Sequence, residues 1–306
     1  MFHVKQLIKM KKLEACPICG NNATSSYMHC IDAMKSKETF TLNQCEECGF
    51  IFTNPRPEIK GLAKYYDFED YISHSDTKAD FICKCYHLIR KRNIQRKIKL
   101  LGKSKGKLLE IGSGTGKLLA ECKKRGWETL GVEPNKGARD IASQKNNIDL
   151  VECLNEIKTK GSMDVVMLWH VLEHLPDINE SFKKFKYYLK EKGKLVIAVP
   201  NCKAYDAKIY KDHWAAYDVP RHLSHFHKTS MKRLANKHGF EVQKIKPMWF
   251  DSLYVSILSE KIKTGKPNFI KGVAIGLWSN LIGLMKNGEY SSLIYIIKHN
   301  SGNKAI

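Results

Sequence analysis

The chain has 306 residues, 43% hydrophobic and 27% charged, with a formal net charge of +21. That composition excludes wholesale disorder, and the length fits one large domain or a domain with a smaller module. The charge points to nucleic acid or an anionic surface. It is uneven, however, with 15 basic against 13 acidic side chains over residues 108–200, 12 against 5 over 61–107 and 17 against 7 over 201–306. Lys5, Lys9, Lys11 and Lys12 break the apolar runs at the start, so no secretory signal is expected. The longest low-charge stretch, Gly272–Met285, is too short for a membrane span of about 20 residues. A cytoplasmic protein is expected, whose ten cysteines are not a disulfide framework.

Four cysteines form a pattern, Cys16-Pro-Ile-Cys19-Gly20 and Cys45-Glu-Glu-Cys48-Gly49, with 25 residues between the two pairs. Two cysteines three apart in a tight turn can reach one metal, and two such turns facing each other make a zinc ribbon. Cys16, Cys19, Cys45 and Cys48 are therefore expected to hold a structural Zn2+, in a closed site with no open position for water. Cys83, Cys85, Cys122, Cys153 and Cys202 lack partner spacing and read as small buried apolar residues. Residues 1–57 are assigned to this zinc-ribbon module. Residues 58–104 are read as a connector and helical lid. Tyr65, Tyr66 and Tyr71 offer either a lid over a ligand or an interdomain aromatic core, with His74 beside them. Phe81–Leu101 reads as a helix, and from Lys84 to Lys107 there are ten Lys/Arg and no acid.

Residues 105–306 read as a Rossmann-like α/β domain. Lys107–Ile111 is a short apolar strand running into Gly112-Ser-Gly114-Thr-Gly116 and then a helical pattern. A second strand spans Thr129–Glu133, a helix Lys136–Gln144, and a third short strand lies near Asp149–Cys153. Met163–His170 is almost wholly apolar, as a parallel strand buried on both faces should be. Asp177 to Glu180 is a capping box opening a helix. Lys194–Val199 and Phe240–Lys246 are further strands around a helix at Thr229–His238, and Ser292–Lys298 is the seventh. An insertion is placed at about 251–289. Within it Phe269–Met285 is apolar on too many sides for a solvated helix; a dimer surface or a lid against a lipid-like acceptor is open, and burial is the default.

A dinucleotide fingerprint needs G-x-G-x-x-G, and here the third glycine comes one residue early, giving E-x-G-x-G-x-G. An adenosine ligand without a pyrophosphate needs close backbone approach for its amino-acid tail and an acid at the second strand for its ribose. Glu133 fits the second need, and Glu110 can hold a ligand ammonium. At these residues the chain resembles the class I S-adenosylmethionine-dependent methyltransferases. The carrying segments are Leu109-Glu-Ile-Gly-Ser-Gly-Thr-Gly116, Gly131-Val-Glu-Pro-Asn135, Asp164–Asp177 and Gly193-Lys-Leu-Val-Ile-Ala-Val-Pro-Asn201. The resemblance implies a seven-stranded, mostly parallel sheet. It also implies a cofactor, S-adenosyl-L-methionine, held by Glu110, Gly112, Ser113, Gly114, Gly116, Glu133, Leu154, Trp169 and His170. The zinc module and tyrosines resemble sugar-nucleotide C-methyltransferases. The His170-Val-Leu-Glu173-His174 segment resembles quinone-pathway O-methyltransferases, with His170 in place of that group's first acid.

Methyl transfer needs an aligned nucleophile and, for a hydroxyl or carbon acid, removal of a proton. Histidine suits that task. His174 or His222 is expected as the base, with Glu173 or Asp218 orienting it and His170 a further catalytic candidate. The expected acceptor is a small anionic molecule, such as a sugar nucleotide, a polysaccharide or a lipid or quinone precursor, methylated at O or C. The competing readings are an RNA methyltransferase, whose zinc ribbon and basic helix grip phosphates, and a non-enzymatic regulator that binds the adenosine ligand.

Overall fold

A computed structural model describes residues 9–66, 93–102, 105–286 and 288–300. Tyr71, His74, Cys83 and Cys85 lie outside the described residues, as does most of the basic helix, of which 93–101 is helical. The described residues up to Tyr66, with Leu172–Ser181 and Ala198–Tyr295, form one compact unit. Those from 93 to Val171, with Phe182–Ile197 and Ile296 onward, form another.

The first unit begins with strands β1 (Met10–Lys11), β2 (Thr24–Ile31), β3 (Thr39–Cys45), β4 (Ile51–Thr53) and β5 (Arg56–Pro57). β2 and β3 form an antiparallel hairpin, β3 pairs with β4, and β1 pairs with β5. The hairpin turn is built on Asp32, whose carboxylate accepts the backbone N–H groups of Met34, Lys35 and Ser36. Such a side-chain-to-backbone turn is what aspartate does best. Alternate residues of β3, Phe40 and Leu42, face a core shared with Tyr65, Trp214 and Tyr217.

In the second unit, β6 (Lys107–Ile111) pairs in parallel with β7 (Glu128–Val132) on one side and with β8 (Met163–Trp169) on the other. Leu108, Leu109 and Val165–Leu168 are all buried, which matches strands covered on both faces. β9 (Leu189–Pro200) starts five residues before the expected Lys194, because the charged Lys190–Lys192 run carries no apolar signal. The strand expected near Asp149–Cys153 is instead a single parallel bridge between Val132 and Val151. Asp149 and Glu152 leave too short an apolar run there to sustain a strand. Cys153 is exposed, not buried, while Cys122 and Cys202 are buried as expected.

Returning to the first unit, β10 (Ser224–His225) adds antiparallel to β4 and completes a four-stranded sheet, β10-β4-β3-β2. With β11 (Phe240–Pro247) and β12 (Ser292–His299), the larger sheet has the order β11-β12-β9-β8-β6-β7. Among the described residues it therefore has six strands, where seven were expected; the expected third strand is the Val151 bridge.

Helices Asp251–Thr264 and Phe269–Met285 occupy the expected insertion. Burial of Phe269–Met285 does not hold. Its large apolar side chains Ile270, Leu277, Trp278, Leu281, Leu284 and Met285 are exposed, and its buried positions are Gly272, Gly276, Ser279, Asn280 and Gly283. Among the described residues no helix is long and apolar enough to cross a membrane.

Candidate functional site

The glycine loop leaves β6 with three left-handed residues, Gly112 (φ 73°), Gly114 (φ 54°) and Gly116 (φ 70°). Side chains rarely adopt that backbone, and a Cβ at Gly112 would also collide with Val171. The loop is tied to the end of β7, with Gly112 N–H and Ser113 N–H both donating to the Val132 carbonyl at 2.8 and 3.0 Å. Ser113 Oγ–H donates to the Glu110 carbonyl at 2.9 Å, so this hydroxyl shapes the turn.

Two acids flank the loop, and both are buried. Glu133 accepts the N–H of Gly114 on Oε2 at 2.8 Å and that of Asn135 on Oε1 at 3.0 Å. Each carboxylate oxygen keeps a second lone pair for a ligand hydroxyl. Glu110 is only 4% exposed, and among the described residues its Oε2 has no hydrogen-bond partner. Burial raises its pKa to about 7; Lys97 opposes that rise and Glu133 adds to it. A buried carboxylate oxygen that no donor meets is costly. A ligand ammonium is such a donor.

At the far end of β8 the half-buried Trp169 carries Lys97 Nζ 4.2 Å over its ring. His170 follows the strand at φ 55°, a conformation that turns the chain sharply. Leu154 opens a short 3-10 turn held by Tyr188, whose hydroxyl donates to the Leu154 carbonyl at 2.6 Å. Glu110, Gly112, Ser113, Gly114, Gly116, Glu133, Leu154, Trp169 and His170 all lie in this unit.

The first unit gathers the remaining expected residues. The rings of His174 and His222 meet edge to face at 4.5 Å. Single ligand atoms of Glu173, His174 and His222 lie within 4.8 Å of one another. His174 Nδ1 lies 3.1 Å from the Arg221 carbonyl and 3.0 Å from Tyr66 Oη. His222 Nδ1 lies 2.8 Å from the Ala216 carbonyl. A carbonyl only accepts, so each imidazole presents an N–H on Nδ1. Burial, then the neighbouring His222, lowers the His174 pKa to about 4, against the pull of Glu173 and Asp218. His174 is therefore neutral at pH 7.

Asp218 (φ 34°) is engaged differently from the expected orienting role. Both its oxygens accept from Arg221 Nε, at 2.9 and 3.0 Å, and it sits 3.9 Å from His222 Nε2. Arg221 also donates to Asp32 Oδ1 at 2.9 Å and to the Tyr65 carbonyl at 2.8 Å. This guanidinium is the organising residue of the cluster, and sequence reasoning passed over it. Its only local signal is its place three residues after Asp218; its link to Asp32 spans 189 residues. Tyr66, by sequence a candidate for a lid or an aromatic core, brings its hydroxyl to His174.

The four motif cysteines converge in the same unit. Cys16 Sγ lies 3.5 Å from Cys48 Sγ, Cys19 Sγ lies 3.4 Å from Cys45 Sγ, and all four sulfurs lie within 4.8 Å of one another. Sulfurs around a tetrahedral ion at about 2.3 Å sit roughly 3.8 Å apart, so the set fits one such ion. Each pair turns on a left-handed glycine, Gly20 (φ 80°) or Gly49 (φ 70°), whose N–H donates back to the Cys16 or Cys45 carbonyl at 2.9 Å. Burial pushes the Cys16 thiol up to about 11 and raises that of Cys48 further.

An uncharacterized methyltransferase of Alkaliphilus oremlandii is 33% identical over 101 residues, 31% of this chain and 46% of that protein. The ubiquinone biosynthesis O-methyltransferase of Coxiella burnetii is 31% identical over 151 residues, 44% of this chain and 63% of that protein. The match thus spans about half the length of the curated relatives. Among solved structures, the magnesium protoporphyrin IX methyltransferase of Synechocystis shares the fold with a TM-score of 0.52 at 12% identity, over 80% of this chain and 100% of that one. The geranyl diphosphate C-methyltransferase of Streptomyces coelicolor gives 0.51 at 13%, over 70% and 81%. Residues 86–245, just over half of the sequence, match the family described as methyltransferase domain. The chain belongs to the methyltransferase-domain family.

Proposed function

We propose that the protein is an S-adenosylmethionine-dependent methyltransferase acting on an O or C atom of a small anionic metabolite. The observation that carries this reading is Glu110, a buried carboxylate with one oxygen unmatched beside a left-handed glycine loop. It suits the ammonium of the cofactor's amino-acid end, and Glu133 suits the ribose hydroxyls. Gly112, Ser113, Gly114 and Gly116 admit the tail by backbone approach, and Leu154, Trp169 and His170 supply the remaining wall. When bound, the cofactor supplies a sulfonium-activated methyl group.

The chain's own residues then supply proton transfer. His174 is neutral at pH 7, its proton is fixed on Nδ1 by the Arg221 carbonyl, and its Nε2 can take the acceptor's proton. His222 likewise turns Nδ1 to a carbonyl, that of Ala216, and Asp218 lies 3.9 Å from its Nε2, where it suits the orienting role. Glu173 and His170 remain candidates for orienting the acceptor. The acceptor class is supported by the ubiquinone-pathway relative and by the positive surplus of residues 201–306.

The Cys16, Cys19, Cys45 and Cys48 set holds a structural Zn2+ in this reading. The site is closed by four sulfurs, so the ion secures the N-terminal turns and takes no part in methyl transfer. The test is transfer of a labelled methyl group from S-adenosylmethionine to a panel of anionic acceptors, with RNA included. Labelling of a small acceptor, lost in His174→Ala, is the expected result. Labelling of RNA alone, or of nothing despite cofactor binding, contradicts it.

A further inference from the structure

Helix Phe269–Met285 is packed inside out. In a soluble helix the large apolar side chains form the buried stripe and the small or polar ones face water. Here Gly272, Gly276, Ser279, Asn280 and Gly283 are buried, while Ile270, Leu277, Trp278, Leu281, Leu284 and Met285 are exposed, Ile270 by 87%. With Ala274, which is also exposed, the set recurs every three or four residues, so it makes one continuous apolar stripe along the helix.

The partner helix, Asp251–Thr264, shows why the small residues lie inside. A Cβ at Gly272 would come within 2.7 Å of the Ile257 Cα, and one at Gly276 within 2.7 Å of the Ser252 carbonyl oxygen. The buried face of this second helix is also made largely of small residues, Ser252, Ser256 and Ser259. Two backbones brought together over a Gly-x-x-x-Gly step, with large apolar groups turned outward, is how helices pack when lipid covers them. The stripe is too continuous for the scattered apolar residues of an ordinary surface.

Charge identifies the lipid. Between 251 and 286 the acids are Asp251, half-buried at the start of the first helix, and Glu260, buried, and every fully exposed charge is a lysine: Lys261, Lys263, Lys266, Lys271 and Lys286. Lys271 also pairs with Glu260 at 3.1 Å. At 17 residues, the longer helix falls short of the roughly 20 that a span requires. We infer that the helix pair Asp251–Thr264 and Phe269–Met285 lies in the interface of a bilayer carrying anionic headgroups, its apolar stripe in the acyl boundary and its lysines on the phosphates. This inference does not depend on the methyl-transfer reading.

The test is flotation of the full chain with vesicles of phosphatidylcholine alone or of phosphatidylcholine with phosphatidylglycerol, at low and high salt. The wild-type chain is expected to float with the anionic vesicles, more weakly at high salt. Leu277→Gln with Leu281→Gln and Leu284→Gln is expected to weaken partitioning about tenfold or more while leaving the melting temperature unchanged. Lys263→Glu with Lys266→Glu is expected to remove the preference for the anionic vesicles. Two outcomes overturn the proposal. One is no flotation with either vesicle, with a dimer in sedimentation that the three glutamines dissociate; the stripe is then an interface between copies. The other is flotation that the glutamines do not alter.

Discussion

Glu110 in one unit and the His174–His222 pair in the other are all titratable and shielded, yet they are satisfied in opposite ways. Glu110 leaves an oxygen unanswered, and burial raises its pKa. The imidazoles have their Nδ1 protons answered by carbonyls, and burial lowers the pKa of His174. Desolvation acts on both against the charged form. What each group then lacks differs: the carboxylate has one oxygen that no donor meets among the described residues, and His174 can still accept a proton. The first is the signature of a binding residue and the second of a base.

That contrast can be broken in several places. The largest effect is expected from the four-sulfur set, which sits in the unit that holds the imidazoles. Cys45→Ser, or exhaustive chelation, should cost several kcal/mol and strip amide protection first from Thr24–Cys45 and Ser224–His225, which share one sheet. Hydrogen exchange with metal analysis checks this; a fully protected metal-free chain would remove the structural ion from the account.

His174→Ala should lower kcat about 100- to 10,000-fold with cofactor affinity unchanged. Because the His174 pKa falls from 6.5 to about 4, the acid limb of the rate profile should lie well below pH 6.5. The same shift makes its stability contribution full above pH 6.5 and lost as pH falls through about 4. A limb at 6.5 that survives His174→Ala would assign the base elsewhere.

Glu133→Ala should weaken S-adenosylmethionine binding about 10- to 100-fold, since it also releases the N–H groups of Gly114 and Asn135. Calorimetry reads this directly, and an unaltered affinity would displace the ribose assignment. The smallest effect falls on stability. The Glu110 pKa rises from 4.5 to about 7, so the folded state holds this proton where the unfolded chain has released it. Its contribution is full below pH 4.5 and gone above about pH 7. Glu110→Gln should therefore stabilise the protein by about 2 kcal/mol at pH 8 and by little at pH 4.5. Melting curves at the two pH values check the sign.

The cofactor side was legible because its signal is local. A strand, three glycines and a helix lie within about 20 residues, and the second acid follows 23 residues after the first. The third strand was overestimated because Leu150 and Val151 look like a strand edge until pairing reduces them to one bridge. The Arg221 hub was hidden by distance, since Asp32 and Tyr65 reach it from the other end of the chain. Phe269–Met285 misled for a different reason. Apolar content predicts that a helix avoids water, but not what covers it, and only packing shows that the glycines and not the leucines face the protein.

The most direct test of the central claim is a calorimetric titration of S-adenosylmethionine into the wild-type chain and Glu110→Gln at pH 8. The account predicts binding weakened about tenfold or more in a variant that melts at a higher temperature. Equal affinity in the two proteins would contradict it.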